Sequence, residues 1–306
     1  MGRYFARRFL LSLPVLVGVT VVTFSLMYLI PGDPAVLLAG PTANLDEITA
    51  LRSRLGLDRP PVFRYLDYMA RLVRFDFGTS LRTKEPVAFE IKARLPNTLL
   101  LASIAITLAA LFGVAMGILA ASRHLSSVDS LTMVFSLLGV SMPGFWLGLL
   151  LILVFAEYLQ WFPVAGRGDW RFLVLPSITL AARALGEIAR MSRADMLEIL
   201  REDFIRTAHA KGLGERKILV KHALRNAAIP TVTVVGLRFG TLLSGAVLTE
   251  TIFAWPGVGR LMVDAISVRD FPVIQGTILV TAVVFILINL LVDLTYAWLD
   301  PRIRYQ

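Results

Sequence analysis

Arg238 lies inside a strongly apolar run, about nine residues from its inner end, or ~14 Å along a helix at 1.5 Å per residue. A charge at that depth is costly and faces the interior of a bundle or a water-filled cavity. Glu187, Glu250 and Asp293 are its candidate counter-charges, and Asn289 precedes Asp293 by one helical turn. Two roles fit Arg238. It either lines a path for a solute that carries a carboxylate, or it forms a structural ion pair. The pathway reading puts Arg238, Glu250, Asn289 and Asp293 along that path.

A second polar group is the stretch Glu202 to Pro230, which interrupts the apolar two-thirds of the chain. Its basic residues are Arg206, Lys211, Arg216, Lys217, Lys221 and Arg225, against only Glu202, Asp203 and Glu215. Thr207-Ala208-His209-Ala210-Lys211 favours helix, Gly212 and Gly214 bracket a turn, and a second helix resumes at Glu215. The stretch reads as a helical elbow outside the bilayer. It fits either docking on a separate motor protein or a basic loop facing anionic lipid.

Catalytic chemistry is missing. No Gly-x4-Gly-Lys-Ser/Thr phosphate loop occurs, so the sequence offers no nucleotide site of its own. No HExxH or nucleophile elbow occurs either. His209 and His222 stand thirteen apart, which is not ligand spacing on one helix face, and no metal or enzyme site is expected. With no cysteine there are no disulfides or thiolate sites.

The elements that position these residues are membrane helices. The chain is 56% hydrophobic with a mean hydropathy of +0.70, too apolar for an ordinary soluble domain. A span takes about 20 apolar residues, and six segments qualify, at roughly 9–30, 97–121, 131–155, 173–191, 229–250 and 276–298. The net charge of +9 is explained by basic residues on one side of the bilayer, so no nucleic acid partner is expected. Arg3, Arg7, Arg8, Arg123, the elbow, Arg302 and Arg304 share that side, which makes both termini cytoplasmic. The first span is too long for a signal-peptide core, and Pro41 stands where a lipoprotein cysteine would be.

Three divisions follow: 1–30, a tail and first span; 31–95, an extracytoplasmic segment; and 96–306, a five-span core whose cytoplasmic loop covers about 192–228. Pro31-Gly32-Asp33-Pro34 ends the first helix. Asp46 to Leu55, Pro61 to Val73 and Pro86 to Leu95 read as short helices of a small cap. Asp129 or Ser130 is expected to cap the third span. Pro143 kinks that span, a packing feature. Gly113/Gly117, Gly144/Gly148 and Gly236/Gly240 form small-residue pairs suited to close helix approach. Trp161, Phe162 and Trp170 fit an interfacial belt. Glu187, Arg190 and Arg193 are expected to snorkel at the inner surface without a special role. Pro256-Gly257-Val258-Gly259 suggests a segment that dips back against protein or a cavity.

At the elbow the sequence resembles a family. Thr207-Ala208-x-x-x-Gly212 is similar to the EAA loop of ABC importer permeases. Arg206 and Thr207 replace the family's Glu and first Ala, and His222-Ala223-Leu224-Arg225 replaces its Ile-x-Leu-Pro, with the proline delayed to Pro230. Those departures resemble the peptide and nickel branch, and specifically its B-type (dipeptide permease B-like) subunit. Pro31 to Pro34, Leu55-Gly56-Leu57-Asp58, Gly78-Thr79-Ser80, Pro143-Gly144-Phe145-Trp146, Trp161-Phe162-Pro163-Val164, Glu250 to Arg260, Arg269-Asp270-Phe271-Pro272, Asn289 to Asp293 and Asp300-Pro301-Arg302 resemble it in order along nearly the whole chain.

The resemblance implies an all-α integral membrane protein with the six-helix type I importer permease fold and a small cap. It implies a bacterial inner-membrane importer for di- or oligopeptides, with nickel or glutathione as the alternative within the branch. Its partners would be a C-type second permease, two cytoplasmic ATPases that bind ATP and Mg, an extracytoplasmic binding protein and lipid. The coupling helix would centre on Arg206, Thr207, Ala208, His209, Ala210, Lys211, Gly212 and Leu213. The competing class, an ion-coupled secondary transporter, requires an inverted repeat with broken helices, and none is evident.

Overall fold

The computed structural model describes residues 2–29, 35–36, 43–54, 56 and 58–299. The expected turn at Pro31–Pro34, Leu55 and Leu57 of the Leu55–Asp58 motif, and the basic tail with Arg302 and Arg304 lie outside the described residues. Within them the regular elements are helices: α1 (Gly2–Leu29), α2 (Leu45–Arg54), α3 (Pro61–Val73), α4 (Val87–Ser122), α5 (Ser127–Ser141), α6 (Gly144–Leu151), α7 (Arg171–Ile199), α8 (Asp203–Ala210), α9 (Glu215–Lys217), α10 (Leu224–Ile252), α11 (Val258–Ser267) and α12 (Phe271–Leu299). π-type turns extend α6 through Ile152–Tyr158 and join α9 to α10 through Ile218–Ala223. Among the described residues four helices are long and apolar enough to cross a membrane, Val87–Ser122, Arg171–Ile199, Pro230–Ile252 and Phe271–Thr295, and the bent pair Ser127–Ser141 with Gly144–Tyr158 would make a fifth if it is one span. Among the described residues the apolar part of α1 covers Leu10–Ser25, and the sequence continues apolar through Ile30.

The expected third span differs most from its sequence reading. α5 and α6 meet at 106°, so Pro143 marks a sharp break and not a mild kink. The cause is local. Proline disfavours helical backbone in the residue before it, and Met142 (φ −72°, ψ 129°) and Pro143 (φ −59°, ψ 130°) are both extended.

The start of α5 is also capped differently. Ser126, not Asp129 or Ser130, is the N-cap, its hydroxyl accepting from the Asp129 N–H. The Asp129 carboxylate is thereby free for Arg193, whose Nε and Nη2 donate to its two oxygens at 2.6 and 2.7 Å. Arg193 is therefore not a snorkelling surface cation. It forms a bidentate bridge from α7 to the α5 hairpin, the geometry that favours arginine over lysine.

The chain divides into two compact units. The larger comprises Met1–Phe5, Pro96–Arg260 and Leu287–Gln306. Its core joins Leu101, Ala105 and Ala109 of α4 to Leu180, Ala184 and Ile188 of α7 and to Leu242 and Ala246 of α10. Small residues let these helices approach. A Cβ on Gly117 would stand 2.7 Å from the Ala189 carbonyl, and one on Gly113 2.9 Å from that of Leu185. Gly186 faces the Ser136 carbonyl of α5 in the same way. Gly144, by contrast, has open space around it and serves to start α6.

Within this unit Glu250, wholly buried, closes the turn between α10 and α11. Thr98 Oγ1 donates to it at 2.6 Å and the Arg260 N–H at 3.1 Å, while Thr98 Oγ1 accepts from the Val258 N–H at 2.9 Å. Asn97 Nδ2 donates to the Pro256 carbonyl, and Trp255 Nε1 donates to the Asn97 carbonyl. Gly257 packs directly on the Glu250 carboxylate, with no room for a side chain.

The smaller unit, Ala6–Leu95 with Leu261–Ile286, places α3 on α1: Thr20 Oγ1 and Tyr65 Oη are 2.8 Å apart, and Phe24 meets the Tyr65 ring edge-on. Asp270, buried between α11 and α12, accepts from Ser80 Oγ at 2.6 Å and from the Arg82 N–H at 3.2 Å. Two of the family-like motifs, 78–80 and 269–272, thus meet across 190 residues.

Thr98→Val is expected to destabilise the protein by about 1–3 kcal/mol, because it deprives a buried carboxylate of its hydroxyl donor. Gly117→Val is expected to cost a similar amount, about 1–3 kcal/mol, by overpacking the α4–α7 contact. Thermal unfolding of the detergent-solubilised protein checks both, with Gly144→Ala as the control that should change little.

Candidate transport site: cavity and elbow

The elbow is built as expected, a helix, a glycine turn and a second helix. In α8 Ile205 and Ala208 are buried, while Phe204, Arg206, Thr207, His209 and Ala210 are exposed. The spacing of three puts the two buried residues on one face. That face packs with Ala121 of α4, Met196 of α7, Ala223 of the π-type turn and Ala227 of α10. Burying Ile205 contributes about 1.5–3 kcal/mol, so α8 is seated on the bundle and does not hang from a loop.

Gly212 ends α8 with φ +71°, and its N–H donates to the His209 carbonyl. The Leu213 N–H reaches back to the Ala208 carbonyl at 3.3 Å, and Leu213 packs against the same core. This is a glycine C-cap with its hydrophobic contact. The exposed face keeps Phe204, 42% exposed, beside the basic residues. Phe204 precedes the expected set Arg206 to Leu213 and lies on the same helix, which begins at Asp203.

Arg238 opens onto a cavity of about 550 Å³ between α5, α6, α7 and α10. Its walls include Pro143 and Phe145 at the α5–α6 break, Thr179, Arg183 and Glu187 of α7, and Thr241 of α10. The break makes this space, since α6 turns away just where α5 would have continued. Of the three candidate counter-charges the structure selects Glu187: Arg238 Nε lies 2.6 Å from Glu187 Oε2. The two approach as an ion pair without hydrogen-bond alignment. Glu187 is only 13% exposed and Arg238 is 39% exposed. On the other side Arg183 Nε donates to Glu187 Oε1 at 3.4 Å. Two guanidinium groups therefore share one carboxylate, and the wall keeps a net positive charge.

Arg183 was missed from sequence, although its i,i+4 spacing from Glu187 was a usable signal. Glu187 had two expected places, a snorkelling position at the inner surface and a counter-charge to Arg238, and the structure shows the second. Glu250 differs from its pathway placement too. It is sealed inside the α10–α11 turn and does not line the cavity. Asn289 and Asp293 lie half-buried on α12, one turn apart, and are not among the cavity's lining residues.

Comparison with known proteins agrees with this architecture. The family model described as "Binding-protein-dependent transport system inner membrane component" matches residues 113–305, and its N-terminal companion matches residues 1–102. The dipeptide transport system permease protein DppB of Alkalihalophilus pseudofirmus is 46% identical, with all of both chains covered. The glutathione transport system permease protein GsiC of Escherichia coli K12 is 45% identical, again over all of both chains. Among solved structures, a chain of the inward-facing MetNI methionine ABC transporter aligns with TM-score 0.57 and 19% identity, covering 69% of this chain and 97% of that one. A chain of an amino acid ABC transporter with histidines aligns with TM-score 0.54 and 14% identity, covering 68% and 93%. The chain belongs to the family of binding-protein-dependent transport system inner membrane components, as a permease of the peptide branch of ABC importers.

Proposed function

We propose that this chain is one of two permease subunits of an importer that carries short peptides across the bacterial inner membrane, driven by ATP hydrolysis in partner subunits. The full-length identity to a dipeptide permease is the observation that carries the reading. Glutathione, itself a small peptide, is the second solute, favoured by the equally complete match to GsiC. The chain supplies no phosphate-loop motif, so ATP and Mg belong to the two cytoplasmic ATPases. A C-type permease completes the pathway, and a binding protein delivers the solute from outside. Both termini and the elbow face the cytoplasm, where the basic residues cluster.

In this reading the exposed face of α8, from Arg206 through Lys211 with Phe204 beside it, seats in a groove of an ATPase. Gly212 and Leu213 turn the chain back into the bundle. ATPase closure then biases the spans between inward-open and outward-open arrangements. Arg238 lines the path and meets the carboxylate of the passing solute. The excess positive charge of the Arg183–Glu187–Arg238 group supports that role. Asn289 and Asp293 border the path only if α12 moves toward it, and Glu250 holds the α10–α11 turn that frames it.

Affinity purification from native membranes in mild detergent tests the assembly: a second permease and Walker A ATPases should co-purify, and recovery of this chain alone would overturn it. Uptake of labelled di- and tripeptides by the reconstituted complex tests the solute. Arg238→Ala should lower uptake about tenfold or more, the loss of a charge-assisted contact of about 1.5–3 kcal/mol, with ATPase co-purification unchanged. Loss of assembly instead would assign the residue to a structural pair. Gly212→Pro forbids the positive φ and removes the N–H given to His209. It should leave membrane insertion intact and abolish the link between ATP hydrolysis and uptake. Wild-type uptake by this variant would remove α8 from the docking role.

A further inference from the structure

The helix α3 carries more apolar surface than its packing on α1 uses. At about 100° per residue its side chains fall into three sectors. Tyr65, Tyr68, Met69 and Leu72 form the sector that is buried or half-buried, with Tyr65 and Tyr68 against Phe24 of α1. Arg64, Asp67 and Arg71 form a narrow polar sector. The remaining sector, of about 100°, holds Val62, Phe63, Leu66, Ala70 and Val73. All five are exposed, Val73 at 76% and Val62 at 67%. A helix in water with that composition would turn this face inward, yet the face already turned inward is a different one.

The packing partner fixes the depth. Thr20 and Phe24, which hold α3, lie in the second half of the apolar run 9–30, with Phe24 six residues, or ~9 Å, short of its end. α3 is therefore held just inside the end of an apolar membrane segment, at the depth to which an interfacial helix sinks its apolar face. α1 shows the same environment beside it, since Val21 and Val22 are exposed on a helix of the same unit. The charge around α3 fits that level. Between residues 58 and 76 four arginines, Arg59, Arg64, Arg71 and Arg74, stand against Asp58, Asp67 and Asp76, and Arg59 pairs with Asp67. Arginine is suited to phosphate, and a basic amphipathic helix with an apolar face lies in the interface plane.

We propose that α3 is an interfacial lipid-binding helix, with Val62, Leu66 and Val73 among the acyl chains and Arg71 and Arg74 at the phosphates. The helix then ties the 43–95 segment to the membrane surface beside α1 and keeps it from swinging free. The occupant is the bilayer itself, not the binding protein or a second copy of the chain. The inference stands apart from the identity of the transported solute.

The absence of native cysteine in this chain makes the test direct. Leu66→Cys, Val73→Cys, Asp67→Cys and, on α1, Val22→Cys are each spin-labelled in the assembled transporter with cysteine-free partner chains, in nanodiscs containing anionic phospholipid. Collision with oxygen, which concentrates among acyl chains, is compared with collision with a water-soluble nickel chelate. The oxygen-to-nickel ratio at Leu66 and Val73 should match that at Val22 and exceed that at Asp67 severalfold. Equal ratios at Leu66 and Asp67 would overturn the proposal. So would a Leu66 label that is open to the chelate until binding protein is added. The unsubstituted transporter gives an independent reading if a variant fails to assemble. A phospholipid with a diazirine in its acyl chain should leave adducts within Pro61–Val73, and adducts on α1 with none on α3 would reject the placement.

Discussion

Charge buried within a helical bundle has to be neutralised where it stands, because an apolar surrounding leaves an unpaired ion far costlier than a paired one. Three acidic side chains in the larger unit meet that demand in three ways. Asp129 takes a bidentate arginine, Glu187 is shared between two arginines, and Glu250 is enclosed by a threonine hydroxyl and backbone N–H groups. Each solution joins different elements: α5 to α7, α7 to α10, and α4 to the α10–α11 turn. The polar contacts fix the register of helices whose apolar surfaces alone would let them slide. The glycines of α4 and α7 then allow the close approach that short-range dispersion needs.

α7 is the common member of two of these pairs, and it leads directly into the elbow. Ile205 and Ala208 key α8 into a core shared by the ends of α4, α7 and α10. The same two helices, α7 and α10, carry Glu187 and Arg238 into the cavity. In the proposed cycle a push on α8 is therefore delivered to the two helices whose charges face the solute. Packed cores transmit displacement well because they lack slack. The α5–α6 break contributes Pro143 and Phe145 to the lining of the same cavity.

Much of the candidate site was legible in the sequence because it is written in local rules. Gly212 announces a left-handed C-cap, the alanine-rich run before it a helix, and the net charge of the stretch its exposure. Arg238 was conspicuous because a lone cation in an apolar run has few explanations. The misplaced features involve choices among neighbours close in energy. Ser126, Asp129 and Ser130 are all sound caps, and the choice of Ser126 follows once Arg193 claims the Asp129 carboxylate from another helix. Pro143 signals a bend without its angle, since two extended residues in succession set the angle and a single proline need not.

The sequence alone determined a helical membrane protein, the elbow's helix–turn–helix form, the resemblance to importer permeases and the presence of a cation within an apolar run that needs a partner. These follow from hydropathy, backbone chemistry and the cost of isolated charge, all of which act within a few residues. Only the tertiary structure decided that Glu187 is the partner, that Glu250 is sealed in a turn, that Ser80 meets Asp270, and that α3 shows an apolar face beyond the one it packs. Every one of these depends on which side chains meet across tens to hundreds of residues. The helical period gives the face a residue occupies, but the rotation and depth of one helix against another are set by packing, and packing is a property of the assembled bundle.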